Sequence, residues 1–373
     1  MQTSDASSLS AQRQARQLAF AASGDDIEIG SLAGLPWSAD ELRALTGGEP
    51  QVVQRFDRGL TAIVYRLSDG RRHWTLKQAR VPSLVKNVDG QTSFLNEVQR
   101  RADLTRLKQR PGGAQRWSAI VDTQYASFRQ GLIVSPWLEG ELATHWGERQ
   151  IAQLLDAACT LWCEGLFEWD YSPGNLLDDG RQVRLFDFGY MYAFDPLRHF
   201  NTAGRGNDTP MFHPAERFET RAYSGWLLAL QARQGEAAAL AAFRLEKELA
   251  LDAYRRMRAR IAAAGANADV LGWLDGMTAR WSDALRSGIE PLFLAEQWRS
   301  HLLDVDDDLS GQSCTPLTLQ RLDWLQHTLQ HHHAELCAAG GLFWGDEHKT
   351  PPQLSGELHA RRGLAQRYQL AHG

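Results

Sequence analysis

Three polar side chains fall within eighteen residues of "WDYSPGNLLDDGRQVRLFDFG": Asp170, Asn175 and Asp187. Two carboxylates and an amide are hard oxygen donors, the kind Mg²⁺ takes while keeping further positions for water or substrate phosphates. The same groups can orient an acceptor hydroxyl. That chemistry requires them to meet, and the intervening sequence offers a means. The stretch reads as two short strands joined by a loop, the second being "RQVRLF", a hairpin pattern. A hairpin returns the chain to its start, so Asp187 is expected beside the loop carrying Asn175, with the three groups sharing a cleft.

The elements around this stretch divide the chain. From Gln51 to Val134 the pattern favours strands: "QVVQRFDRG", "AIVYRLSD" and "RHWTLKQA" are β-branched or aromatic runs separated by turn residues. A helix is expected over "SFLNEVQRRADLTRL", where Phe94, Leu95, Val98 and Leu104 share a face. "GLIVSPWLEGE" then reads as a buried strand running into a connector. Beyond it helices dominate, first in "ERQIAQLLDAACTLWCEGLF", again from about Arg221, and last in "LTLQRLDWLQHTLQHHHAELCAA".

The order of these motifs resembles the protein-kinase-like superfamily, over roughly residues 51–230. The catalytic-loop pattern of that family, an Asp with an Asn five residues on, matches Asp170 and Asn175, and its Asp-Phe-Gly matches Asp187, Phe188 and Gly189. The resemblance implies an α+β, bilobed protein-kinase-like fold, with a small mostly-β N-lobe and a large mostly-α C-lobe carrying extra C-terminal helices. The implied partition is a polar leader and first helix (1–50), an N-lobe (51–135), a hinge (136–142), a C-lobe (143–300) and a helical extension (301–373). It implies ATP and Mg²⁺ as cofactors, with Asp170 acting on the acceptor hydroxyl and Asn175 and Asp187 holding the metal. Lys77 would meet the inner phosphates and Glu97 would hold Lys77. Gly59 would cover the phosphates and Val64 would line the nucleotide. Pro136, Trp137, Leu138 and Glu139 would border adenine through backbone groups.

The sequence departs from the family in instructive places. The catalytic triplet is Glu168-Trp169-Asp170, without the usual His and Arg, so switching by activation-segment phosphorylation through that Arg is not expected. "RAYSGWLLAL" lacks the Asp that normally anchors this loop, and Trp169 is expected to replace the polar anchor by packing. Of three phosphate-loop glycines only Gly59 survives; Asp57 and Ala62 occupy the others, and Asp57 is expected to face solvent. Ser172 stands where Ser/Thr kinases place a Lys. Against that, "DTPMFHPAERFE" resembles the end of a peptide-docking activation segment, with Thr209, Pro210, Phe212 and Glu216 in place, and Glu216 should then pair with Arg280 or Arg286. A Ser/Thr protein acceptor leads, with a small-molecule hydroxyl, a nucleotide-binding scaffold without turnover and nucleotidyl transfer as alternatives.

Composition narrows the remaining classes. A formal charge of −5 over 373 residues provides no general basic field for nucleic acid. Four scattered cysteines make no disulfide framework and suit a reducing compartment. Cys159 and Cys163 read as two core residues on one helical face. No apolar run is long enough to span a membrane, and the first residues lack a secretory pattern; the expectation is cytoplasmic, with a translocated effector as the other reading. His327 and His331 lie four apart but lack further ligands for zinc. Asp306, Asp308 and Ser310 begin like a calcium loop, yet Leu317 stands where its bidentate Glu belongs, so a capped turn is expected.

Overall fold

The computed structural model describes residues 9–203 and 212–370. The structure is mixed, with a small antiparallel sheet region and a helical C-terminal part. Its contacts divide it into two units: Met1–Ala143 with Gly174–Tyr192, and Thr144–Pro173 with Ala193–Gly373. This differs from the expected cut after residue 135, because the hairpin following Asn175 belongs to the first unit.

In the first unit, α1 (Leu9–Ser23) leads to β1 (Glu28–Gly30) and α2 (Ala39–Arg43). There follow β2 (Val52–Phe56), β3 (Ala62–Ser68), β4 (His73–Ala79), α3 (Val88–Gln109), β5 (Tyr125–Ser127) and β6 (Leu132–Pro136). The sheet order is β1-β5-β6-β4-β3-β2, antiparallel throughout. The stretch expected as a polar leader therefore supplies an edge strand. Alternation at period two decides which side chains face which layer. Tyr65, Leu67, Trp74, Leu76 and Val134 pack with Trp37, Leu42 and Leu45 on one face. Ile133 and Ala126 meet Phe94 and Val98 of α3 on the other. Lys77 directly follows Leu76 and pairs in register with Ile133, so it must point to the α3 side.

Helix α3 starts five residues before the expected Ser93. The Asn87 side chain caps it by accepting from the Gly90 N–H, a signal within reach of sequence reading. The hairpin forms as expected: β8 (Leu176–Asp178) and β9 (Val183–Leu185) pair Leu176 with Leu185, and β7 (Glu141–Leu142) extends β8 on its other side. Asp178 and Asp179 accept the turn N–H groups of Gly180, Arg181 and Gln182, while Gly180 takes φ +85°, a conformation open to glycine.

The second unit is helical: α4 (Glu148–Cys163), α5 (Pro214–Phe218), α6 (Ser224–Gln234), α7 (Glu236–Ala263), α8 (Ala268–Ser287), α9 (Glu290–Gly311), α10 (Pro316–His331) and α11 (Pro351–Arg367). Helices resume at Pro214 rather than Arg221, behind a His213 cap, and widen into a π turn over Glu219–Tyr223. The run expected to be one helix through Ala339 breaks at His332, whose φ of −132° is not helical. Asp306 and Asp308 lie in the last turns of α9; Asp306 receives Arg361 and Asp308 accepts from Thr318 Oγ1, and Gln312 ends the helix at φ 52°.

The second unit buries a charged cluster. The fully buried Lys247 ammonium lies 2.5 Å from Glu219, 2.5 Å from Glu296 and 3.2 Å from Glu246. Arg299 also pairs with Glu219. Burial, only partly offset by Lys247, pushes the Glu219 carboxyl up from 4.5 to about 8, whereas Lys247 and Arg299 outweigh burial at Glu296 and hold it low. Folded Glu219 thus keeps a proton that the unfolded chain releases, so its contribution is full below about pH 4.5 and is lost as pH rises towards 8. Glu296 has the opposite sign, its contribution being lost as pH falls below the ordinary carboxylate range. Denaturant midpoints should therefore fall between pH 6 and pH 8, and Glu219→Gln should flatten that slope.

Candidate functional site

The first unit gathers most of the residues singled out by sequence. Lys77 is 4% exposed, and its Nζ donates to Glu97 Oε1 (2.9 Å) and Oε2 (3.1 Å) and to Asp187 Oδ2 (2.7 Å). Glu97 is held a second time, because Arg101 lies one helical turn further along α3 and donates to Oε1 from Nε (2.9 Å) and Nη2 (2.8 Å). Arg101 also donates to the Phe186 carbonyl, Ser135 Oγ and Thr123 Oγ1. Two cations and two carboxylates therefore share one pocket of polar groups, which satisfies the requirement that buried charge be paired and hydrogen-bonded.

The two carboxylates differ in access. The Glu97 side chain is 5% exposed and that of Asp187 is 28% exposed. Burial alone would raise the Asp187 carboxyl, but the Lys77 ammonium and the Gly189 N–H outweigh it and hold the group below the ordinary carboxylate range. Asp187 is thus ionised, partly open and already aligned on Lys77. The hairpin brings Asn175 alongside: the Phe186 N–H donates to the Asn175 carbonyl at 3.4 Å. No cluster of three or more His, Cys, Asp or Glu able to cage a metal occurs among the described residues. Asn175 and Asp187 nevertheless fit Mg²⁺, which commonly takes one or two protein oxygens and completes its shell with water and phosphate.

The remaining first-unit residues lie around the same sheet. Val64 is directly opposite Lys77 across β3 and β4, and so projects to the same face. The loop holding Gly59 is shaped by an unforeseen residue: Arg80 donates to the carbonyls of Gly59 (2.8 Å) and Asp57. A Cβ at Gly59 would stand 2.6 Å from the Ala62 carbonyl oxygen, so glycine is sterically required there. The Asp57 side chain is exposed, as anticipated. In the connector, the Trp137 N–H continues the ladder to the His73 carbonyl, and Pro136 has no N–H, so the only amide donors of the four residues not given to that ladder are those of Leu138 and Glu139. The Trp137 ring stacks on Phe56 and beneath Arg66, which also binds Glu139 at 2.8 Å.

Asp170 belongs to the second unit. Its N–H donates to Glu168 Oε1, and its Oδ1 accepts from the Ser172 N–H (3.2 Å) and from Arg221 Nε (3.1 Å). Arg221 is in turn held by Asp304, and Arg217 Nε donates to the Trp169 carbonyl at 3.0 Å. Trp169 does pack, against Phe167 and Phe212, but a polar anchor exists as well. It is cationic, drawn from the segment in which only an Asp was sought. Burial opposes the charge on Arg221, yet Asp304 and Asp170 more than compensate and raise its pKa. Arg221→Gln should cost about 2 kcal/mol, since it strips a charged donor from the buried Asp304 and the partly buried Asp170; a shift in the denaturation midpoint would show it.

The expected partners of Glu216 are corrected. Glu216 accepts from Thr220 Oγ1 at 2.6 Å, with Arg217 at 3.7 Å, while Arg280 binds Glu296 and Arg286 binds Asp283. The buried Glu that pairs with an Arg of the later helices is Glu219, with Arg299. Glu219 lies three positions after Glu216, at the start of the π turn, and spacing alone does not reveal which of the two meets a later Arg. Thr209 and Pro210 lie outside the described residues. Arg101, Asn96, Arg217 and Arg221 were missed by sequence reasoning; for Arg101 the i, i+4 spacing from Glu97 was a usable signal.

No family model matches this chain, and no curated protein matches it. Among solved structures it is similar to a co-crystal structure of WbdD with the kinase inhibitor LY294002. That likeness has 15% identity and a TM-score of 0.32, over 53% of this chain and 45% of that one. A structure described as the bifunctional kinase-methyltransferase WbdD gives 15% identity and a TM-score of 0.30, over 56% and 48% of the two chains. The chain therefore spans about half the length of the structures it matches. No helix among the described residues is long and apolar enough to cross a membrane.

Proposed function

We propose that this chain is an ATP- and Mg²⁺-dependent phosphotransferase of kinase-like fold that moves the γ-phosphoryl group to a hydroxyl. The observation that carries the reading is Lys77, buried between a closed carboxylate, Glu97, and a partly open one, Asp187. Here the access is one-sided, so Asp187 and Asn175 can take the metal while Lys77, still oriented by Glu97 and Arg101, donates to nucleotide phosphate. Mg²⁺ would neutralise phosphate charge. Asp170, steadied by Arg221, would orient the acceptor hydroxyl. Catalysis in this class comes mainly from positioning and charge stabilisation.

A Ser/Thr side chain of a protein is the proposed acceptor, on the strength of the Thr209–Glu216 sequence. A small-molecule hydroxyl is the second reading, and a specific observation favours it: Glu216 does not make the ion pair that a peptide-docking segment of this kind would need. Incubation with γ-labelled and α-labelled ATP, with and without protein and polyol acceptors, tests both. Transfer of γ label with release of ADP supports the phosphotransferase. Transfer of α label means nucleotidyl transfer, and tight ATP binding without either product means a scaffold.

A further inference from the structure

Helix α1 is docked in an unusual manner. Its one buried residue is a glutamine, Gln17, and Leu18 is left half exposed. An ordinary packing helix would bury an apolar stripe. Beside a ring contact between Phe20 and Phe128, α1 is attached mainly through polar contacts: Arg13 to Asp89 at 2.7 Å, Gln14 to Asp89 at 3.3 Å, and Gln17 Nε2 to Asn96 Oδ1 (3.3 Å) and Gln99 Oε1 (2.8 Å). Arg13 also lies over the Tyr192 ring, 3.6 Å from its centroid. At the other end Arg129 collects the carbonyls of Phe20, Ala21 and Asp25.

These contacts converge on the segment after Asp187. Asn96, 2% exposed, uses its amide to donate to the carbonyls of Phe188 (3.3 Å), Gly189 (3.0 Å) and Met191 (2.7 Å). Gly189 N–H in turn donates to Asp187 Oδ1 at 3.1 Å. One continuous run of hydrogen bonds therefore links α1 to the carboxylate. Among the described residues Gln17 Oε1 is buried without a partner, so the docked state retains an unsatisfied acceptor there.

We infer that α1 is a positioning element for Asp187, and that Gln17 acts as the positioning residue through Asn96. The inference rests on the phosphotransferase reading for its catalytic consequence but not for its structural one. Gln17 touches neither Asp187 nor any residue proposed to meet substrate. Its effect must pass through the Asn96 amide, which makes the route separable from general packing.

In the full-length chain, Gln17→Leu keeps volume and removes the amide. Hydrogen exchange of amides 187–192 should speed up about ten-fold, with phosphoryl transfer falling by a similar factor in kcat and little change in KM for ATP. Asn96→Ala should do the same, and the double variant should be no worse than the stronger single one, since both lie on one route. Gln17→Met provides a second variant should Gln17→Leu fold poorly. Unchanged exchange at 187–192 in a folded Gln17 variant would overturn the inference, as would simple additivity with Asn96→Ala. Should wild type transfer no phosphoryl group, the phosphotransferase reading fails while the exchange measurements still decide the role of α1.

Discussion

Replacing Asp187 with asparagine is expected to reduce γ-phosphoryl transfer on the order of 10³-fold while leaving the protein folded. Asparagine keeps the shape of the side chain, and Lys77 retains both oxygens of Glu97 and the support of Arg101 behind it. What disappears is an ionised oxygen donor at the partly open side of the pair. Loss of a single well-placed electrostatic group at a catalytic site removes roughly 10² to 10³ in rate, and loss of the proposed metal donor would add to it. The substitution also removes a group whose depressed pKa favours the folded state. Asp187 contributes stability above the ordinary carboxylate range that is lost as pH falls through its lower folded value. The variant should accordingly be somewhat less stable at neutral pH and closer to wild type in acid. Label transfer and ADP release, measured beside thermal melting at pH 7 and pH 3.5, separate the two effects. A variant that transfers label at the wild-type rate would remove the metal role of Asp187.

Lys247→Met should be the most damaging single change to the second unit, costing about 3 to 5 kcal/mol, because it breaks a buried charge network from one side only. Glu219, Glu246 and Glu296 would face one another with Arg299 as the remaining buried cation at close range. Methionine fills most of the space, and the Phe243 and Trp281 rings flanking the ammonium can pack on it, so the loss is electrostatic rather than a cavity. Adding Glu296→Gln should recover part of the stability by deleting the carboxylate that Lys247 helps hold ionised. Denaturant unfolding of both variants checks this. A Lys247→Met protein as stable as wild type would show that the cluster is well hydrated, contrary to its burial.

Much of the first unit was readable because its signals are local. Strands β2, β3 and β4 are β-branched or aromatic runs set between turn residues, and the short apolar runs on either side of Asp178-Asp179-Gly180 mark the hairpin that returns Asp187 to Asn175. Lys77 could be placed because alternation along β4 fixes its face once Leu76 is assigned to the core. The parts that escaped depend on tertiary pairing. Arg80 fixes the Gly59 loop from just past the end of β4, and Arg101 closes the polar network by reaching Phe186, eighty-five positions away. The pairing of Glu216 failed because which of two nearby carboxylates meets an Arg of a later helix is a tertiary choice that spacing does not mark, and Glu219, three positions on, is the one that meets Arg299. The anchoring of Asp170 was sought as an acid from the later helix and exists as the bases Arg217 and Arg221, a reversal of charge with the same purpose of fixing the loop backbone.

The path of the chain has a consequence for its synthesis. The first unit is not contiguous: it leaves off at Ala143 and is completed only by Gly174–Tyr192. A nascent chain that has released residues up to Ala143 holds Lys77, Glu97 and Arg101, but not Asp187 or the Phe186 carbonyl that Arg101 binds. The sheet can form early, whereas its polar interior stays open until about fifty further residues have emerged, some seconds later at ordinary elongation speeds. Folding of the polar interior of the first unit is thereby coupled to translation of α4 and the Asp170 loop. Release of a fragment ending near Ala143 should yield a sheet that forms but exchanges rapidly around Lys77, a species that quality-control proteases would remove.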